Sequence, residues 1–122
     1  MILVDTSIWV DHLRSGDAPL TERLLAGEVA THNFVIGELA LGGLRKRGGV
    51  LDLLRALPRL SAATDDEALY FIEQRGLSGR GIGYVDAHLL AAVAMHGTSL
   101  WTRDKRLHDI AEEYSWAFAS DH

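Results

Sequence analysis

Short apolar runs rich in β-branched residues alternate along this chain with longer segments whose apolar positions recur every three or four residues. Ile2-Leu3-Val4, stopping at Asp5, has the make-up of a buried parallel strand. Asp5-Thr6-Ser7 then offers capping side chains ahead of Ile8, Trp9, Val10 and Leu13, which predicts a helix directly after the strand. A second helix is expected from Leu20 to Ala26, entered through Pro19 and left at Gly27. Val29 to Thr31 reads as a strand, and Asn33 as the cap of an apolar helix from Phe34 to about Leu44. Val50 to Leu57 predicts another helix, stopped by Pro58, and Leu60 to Ala63 a weak strand. Thr64-Asp65-Asp66-Glu67 has the form of a capping box opening a helix that runs to Gly76. After a glycine-rich loop to Gly83 come a strongly apolar helix from about Tyr84 to His96 and a C-terminal Gly97. Ser99 to Trp101 and Trp116 to Phe118 are expected strands, with a charged helix from Asp104 to Glu113 between them. Strands alternating with helices imply a parallel sheet covered on both faces, so the fold class is α/β.

With 122 residues, no repeat and no linker, the chain is read as a single domain over 1–122. It has no cysteine, which excludes a disulfide framework, an iron–sulfur cluster and a thiolate zinc site. The longest apolar run, Leu89 to Met95, is far short of the ~20 residues that span a bilayer. The N-terminal segment has no basic region followed by an apolar stretch, so a cytoplasmic protein without a membrane is expected. The net charge of −5 argues against a non-specific nucleic-acid binder, until the acids are considered one by one. Two divalent cations on such acids would bring −5 to −1, so charge alone leaves the question open.

Asp5 closes the first strand and Asp104 follows the strand at Leu100-Trp101, both at carboxyl ends, where open parallel sheets bind ligands. Either could be a simple helix-initiating acid. Glu38 and Asp86 are harder to explain that way. Glu38 lies between Phe34 and Val35 one turn before and Leu41 one turn after, and Asp86 shares a face with Leu89, Leu90 and Val93. A carboxylate on a core-facing stripe is costly unless a cation meets it, and no lysine or arginine lies within a turn on the same face. Ligation by oxygen alone fits a hard ion, Mg²⁺ or Mn²⁺, which activates water and stabilises a leaving oxygen in phosphoryl chemistry.

Met1-Ile2-Leu3-Val4-Asp5-Thr6-Ser7, Gly37-Glu38-Leu39, Val85-Asp86-Ala87 and Thr102-Arg103-Asp104, in this order, resemble the PIN-domain ribonucleases, and more narrowly the VapC toxins of type II toxin–antitoxin modules. The resemblance covers essentially the whole chain. It implies a PIN-like α/β/α sandwich around a short-stranded parallel sheet, a Mg²⁺- or Mn²⁺-dependent endoribonuclease, a homodimer and a cognate antitoxin. It transfers Asp5, Glu38, Asp86 and Asp104 as the catalytic and metal-binding set, supported by the hydroxyls of Thr6 and Thr102. The implied mechanism is attack of metal-activated water on an RNA phosphodiester, leaving 5′-phosphate and 3′-hydroxyl ends. Asp109, five residues past Asp104, is read as a surface acid.

Around this centre Arg103 and Lys105, with Arg80, Arg106 and the basic knot Arg45-Lys46-Arg47, are candidate RNA contacts. The six histidines form no tight metal pair on a helical face and are expected mostly at the surface or as caps. The three tryptophans are expected in the core. Ile8, Trp9, Leu13, Leu24 and Leu25 would leave an apolar face on the first two helices, suited to an antitoxin or a dimer partner. The competing readings are a catalytically silent PIN-like binding module and a receiver-type signalling domain. The receiver needs paired acids after the first strand and a lysine late in the sheet, neither of which is present.

Overall fold

The computed structural model describes residues 1–119. In chain order its elements are β1 (Ile2–Val4), α1 (Thr6–Ser15), α2 (Ala18–Leu25), β2 (Val29–Ala30), α3 (Asn33–Leu41), α4 (Arg47–Ala56), α5 (Asp65–Gln74), α6 (Tyr84–His96), β3 (Ser99–Trp101) and α7 (Lys105–Glu113). The strands form one parallel sheet in the order β2-β1-β3, with Ile2 opposite Val29, Leu3 opposite Leu100 and Val4 opposite Trp101. Successive residues of β1 point to opposite faces, yet all three are buried, so both faces of the sheet are covered. This is the α/β architecture that the alternating pattern predicts.

α6 is buried on every side from Ala87 through Val93, the behaviour of a helix without a polar face. Its N-terminal part is tied to α3 by an aromatic contact. The His88 ring meets Phe34 edge-on at 4.7 Å and Tyr84 at 4.6 Å. The two helices that carry Glu38 and Asp86 are thereby packed against each other.

Several boundaries differ from those expected. α2 begins at Ala18 because Asp17 caps it, its side chain accepting from Leu20 N at 3.0 Å, so Pro19 sits in the first turn. α3 is capped by His32, whose Nδ1 accepts from Phe34 N at 3.0 Å, and not by Asn33. α3 also stops at Leu41, ahead of Gly42-Gly43. α4 starts at Arg47, three residues before Val50, out of Lys46 in a left-handed conformation (φ 52°). No strand forms at 60–63, where the isolated bridge to Thr31 falls just before it at Arg59, and the expected strand at 116–118 reduces to the isolated bridge of Leu100 with Ala117.

Burial brings two further corrections. His32 and His88 are core residues, 0% and 1% exposed, where surface or capping histidines were expected: His32 is a cap, but a buried one, and His88 is neither. Ile8 and Trp9 are fully buried, so the first two helices expose much less apolar surface than anticipated; Leu25, at 85%, remains outside. Trp101 is buried, and Trp116 stacks on Tyr114 at 4.8 Å, in line with packing roles. Among the described residues no helix is long and apolar enough to cross a membrane.

Candidate active site

Asp5 lies one residue beyond the end of the central strand. Its backbone N–H donates to Trp101 O at 2.9 Å, which extends the β1–β3 ladder and sets Asp5 beside Thr102. The carboxylate is buried and held by three donors: Thr6 N to Oδ1 at 2.8 Å, and Thr102 Oγ1 at 2.7 Å and Ser7 Oγ at 3.2 Å to Oδ2. Thr102 Oγ1 also accepts from Asp104 N at 3.0 Å, and Ser7 Oγ from Arg103 N at 3.0 Å. The start of α1 and the turn after β3 are thus stitched together by two hydroxyls. Asp104 caps α7, its Oδ1 accepting from Leu107 N at 3.0 Å. Glu38 is reached from α1, where Thr6 Oγ1 donates to its Oε1 at 2.7 Å. Asp86, in the first turn of α6, accepts from Gly83 N at 3.1 Å through Oδ2.

Asp86 feels the other three acids. Burial raises the Asp86 pKa above the usual carboxylate value; the Gly83 N–H opposes this, and the charges of Asp5, Asp104 and Glu38 add to it. Among the described residues none of the four is paired with a lysine, arginine or histidine. Nor are any three acid or histidine side chains close enough to share an ion as they stand. One oxygen each of Glu38, Asp86 and Asp104 accepts no hydrogen bond from a described residue. Uncompensated negative charge, free carboxylate oxygens and no sulfur or imidazole donor suit a hard divalent cation. In donor chemistry the residues present fit Mg²⁺ or Mn²⁺.

The basic candidates divide into two groups. Arg103 forms ion pairs with Asp11 of α1 and Asp17, the α2 cap. Burial pushes Asp17 up, but the Arg103 guanidinium and the Leu20 N–H outweigh it and hold the carboxyl below its ordinary value. Arg80 pairs with Glu113 at 2.6 Å and Lys105 with Asp109 at 2.9 Å, which also places Asp109 on the outer face of α7. These three cations are therefore engaged within the chain. Arg45, Lys46 and Arg47 have no ion pair among the described residues, and Arg45 and Lys46 line an open groove of about 890 Å³. That groove also includes Thr6, Glu38 and Arg14.

Two residues of this region escape the sequence reading. Ser7 looks like an ordinary capping hydroxyl, and only its spacing of two from Asp5 hints that both could serve one site. Arg14 stands at the exposed end of α1, with no sequence neighbour to mark it.

Comparison with known proteins places this geometry in a lineage. The PIN domain family model matches residues 2–113. Ribonuclease VapC32 of Mycobacterium tuberculosis is 50% identical over 122 residues, covering 99% of this chain and 98% of that protein. In fold the chain is similar to PAE2754 from Pyrobaculum aerophilum, at TM-score 0.66 and 19% identity, covering 96% of this chain and 87% of that one. It is also similar to VapC20 of Mycobacterium tuberculosis, described as a sarcin-ricin loop cleaving toxin, at TM-score 0.56 and 23% identity over 99% of this chain and 92% of that one. The family match runs from the first residue of β1 to the last of α7, taking in every element that carries one of the four acids, and the chain belongs to the PIN-domain family.

Proposed function

We propose that this chain is a VapC-type endoribonuclease toxin, a single-domain cytoplasmic enzyme that cleaves RNA with Mg²⁺ or Mn²⁺ at Asp5, Glu38, Asp86 and Asp104. The observation that carries the reading is the convergence of charge on Asp86. Burial first, and then the charges of three further carboxylates, raise its pKa, and no described cation offsets them. Such an arrangement opposes folding unless its purpose is to receive positive charge. A divalent ion bound there supplies activation of water and neutralisation of charge on the phosphate.

The chain's own residues supply orientation. The three donors on Asp5 fix its plane, two on Oδ2 and one on Oδ1, so Oδ1 is the less committed oxygen. Thr102 couples that plane to Asp104 through the Asp104 N–H, and Thr6 holds Glu38 on the same side as α1. Among the described residues no histidine ring is hydrogen-bonded to these acids, which sets the proposed reaction apart from that of histidine ribonucleases, which use the 2′-hydroxyl. The products are 5′-phosphate and 3′-hydroxyl ends. A homodimer and an antitoxin that blocks the acids complete the proposal.

The test is incubation of purified, antitoxin-free protein with total bacterial RNA in Mg²⁺ or Mn²⁺ and in EDTA, with Glu38→Gln in parallel. Glutamine still accepts the Thr6 hydrogen bond but removes the charge. Discrete metal-dependent fragments with 5′-phosphates, absent for Glu38→Gln, are expected. Cleavage that persists in EDTA overturns the mechanism. Absence of cleavage by folded protein in either metal would favour the silent binding module.

A further inference from the structure

We propose that substrate RNA is held on one flank of the acidic cluster only, in the groove between α1, α3 and α4, with Arg14, Arg45 and Lys46 contacting successive phosphates of a single strand. This rests on the nuclease reading above and adds where the strand runs.

A polyanion approaching a chain of net charge −5 needs free cations close to the acids. The chain has 12 lysines and arginines, and most are spent internally. Arg23, Arg55, Arg80, Arg103 and Lys105 are in ion pairs. Arg59 donates to Asn33 at 3.1 Å, and Arg75 packs over the rings of Phe71, Tyr114 and Trp116 at 5.1–5.7 Å. Arg106 is folded against Gly81, where an added Cβ would lie 2.5 Å from its Nη1. The flank formed by α7 and the loop before α6 is therefore neutralised or packed.

The opposite flank is not. Arg14, Arg45 and Lys46 all line the groove of about 890 Å³ and are exposed. The same groove is bounded by Thr6 and Glu38, so it reaches the acidic cluster at Glu38. Arg106 is exposed and has no ion pair among the described residues, but it stands alone against Gly81. A strand with its reacting phosphate at the acids therefore meets a cluster of free cations when its next phosphates lie here. Val10, Leu13 and Leu39 supply an apolar wall for riboses, and no aromatic side chain lines the groove. Contacts of this kind grip the backbone without stacking bases, so they position RNA and leave sequence choice to other features.

An acidic, apolar protein segment would also be complementary to such a groove. Continuity with Thr6 and Glu38 is what favours RNA, and the experiment separates the two. Binding of a short fluorescein-labelled polyuridine strand is followed by anisotropy in EDTA across a salt titration. Wild-type protein is compared with an Arg14→Ala/Arg45→Ala/Lys46→Ala triple variant, with Arg14→Gln, Arg45→Gln and Lys46→Gln singly, and with Arg80→Ala and Lys105→Ala. Circular dichroism melts verify that each is folded. Loss of three single-strand phosphate contacts makes the log–log salt slope shallower by about 2, and each single variant by about 0.7. Arg80→Ala and Lys105→Ala leave the slope unchanged.

The proposal is overturned if the triple variant keeps the wild-type slope, if the loss appears instead in the Arg80 or Lys105 variants, or if wild-type protein does not bind the strand. A triple variant that binds RNA normally but no longer associates with a protein inhibitor assigns the groove to protein. Failure of the nuclease reading is seen separately, as absence of metal-dependent cleavage by wild-type protein. Failure of the groove alone is wild-type cleavage accompanied by unchanged RNA binding in the triple variant.

Discussion

Replacing Thr102 with valine removes one oxygen at nearly constant shape, and the structure indicates how much that oxygen contributes. Thr102 is 6% exposed, and its hydroxyl donates to Asp5 Oδ2 at 2.7 Å while accepting from Asp104 N at 3.0 Å. A hydrogen bond to a buried charged acceptor contributes roughly 1.5–3 kcal/mol. Asp5 retains two other donors, Thr6 N and Ser7 Oγ, and the amide of the exposed Asp104 can turn to water, which keeps the loss near the middle of that range. For a domain of this length about 2 kcal/mol lowers the melting temperature by roughly 6–10 °C. The assay is calorimetry in EDTA, so that metal binding does not enter, together with cleavage in Mg²⁺. Loosening Asp5 against Asp104 costs between about tenfold and a hundredfold in rate, the usual penalty for sub-ångström to ångström misplacement. Thr102→Ser keeps the hydroxyl and stays close to wild type in both. If Thr102→Val melts and cleaves like wild type, or if serine fails as badly as valine, the hydroxyl is not what couples the two acids.

Asp86→Asn is expected to stabilise the metal-free protein while abolishing cleavage. The folded Asp86 pKa lies above its unfolded value, first through burial and then through the neighbouring acids, so ionisation opposes folding at neutral pH, and that cost fades as pH falls through the folded pKa. Urea melts in EDTA check this: the asparagine variant is more stable at pH 7, the margin shrinks in acid, and a less stable variant at pH 7 refutes it. His32 behaves in the opposite sense. Burial, then the proximity of His88 and His96, lowers its pKa from 6.5 to about 4, so the unfolded chain takes up a proton that the folded chain refuses. Between those values stability falls with pH by about 3 kcal/mol in total. His32→Asn, which can still cap α3, lacks that share of the loss in denaturant melts from pH 7 to 4; an acid dependence equal to wild type counts against it.

How much of this was legible in the sequence follows from the kind of signal each element carries. β1, β3 and α6 have dense apolar patterning with sharp polar ends, and their bounds agree with the expected ones to the residue. The four acids stand out because each interrupts such a pattern at a strand end or on an apolar helix face. The start of α4 was hidden because Arg47-Gly48-Gly49 has little helix preference and its N-terminal neighbour Lys46 is left-handed. The sequences at 60–63 and 116–118 have strand-like composition, but the first forms no bridge, the pairing with Thr31 falling at Arg59, and the second meets the sheet only at Leu100–Ala117, a matter of neighbours that composition does not encode. Burial of His32 and His88 was equally illegible, since it depends on how α3 meets α6. The basic residues teach the same lesson. Arg103 sits between two candidate site residues in sequence, yet its side chain turns to Asp11 and Asp17, while Arg14, far from any motif, faces the groove.

The central position of β1 has a consequence for how the protein is made. Its partner β3 follows far along the chain, and the hydroxyl that holds Asp5 comes from a residue 97 positions later. Contacts of such long range form slowly, because loop closure must precede any gain from them. A nascent chain emerging from the ribosome therefore carries Asp5 for most of its synthesis without Thr102 or Asp104 beside it. On the proposed mechanism cleavage cannot begin on a partial product, and nuclease activity becomes a signal that translation has passed the β3–α7 turn and that the sheet has closed.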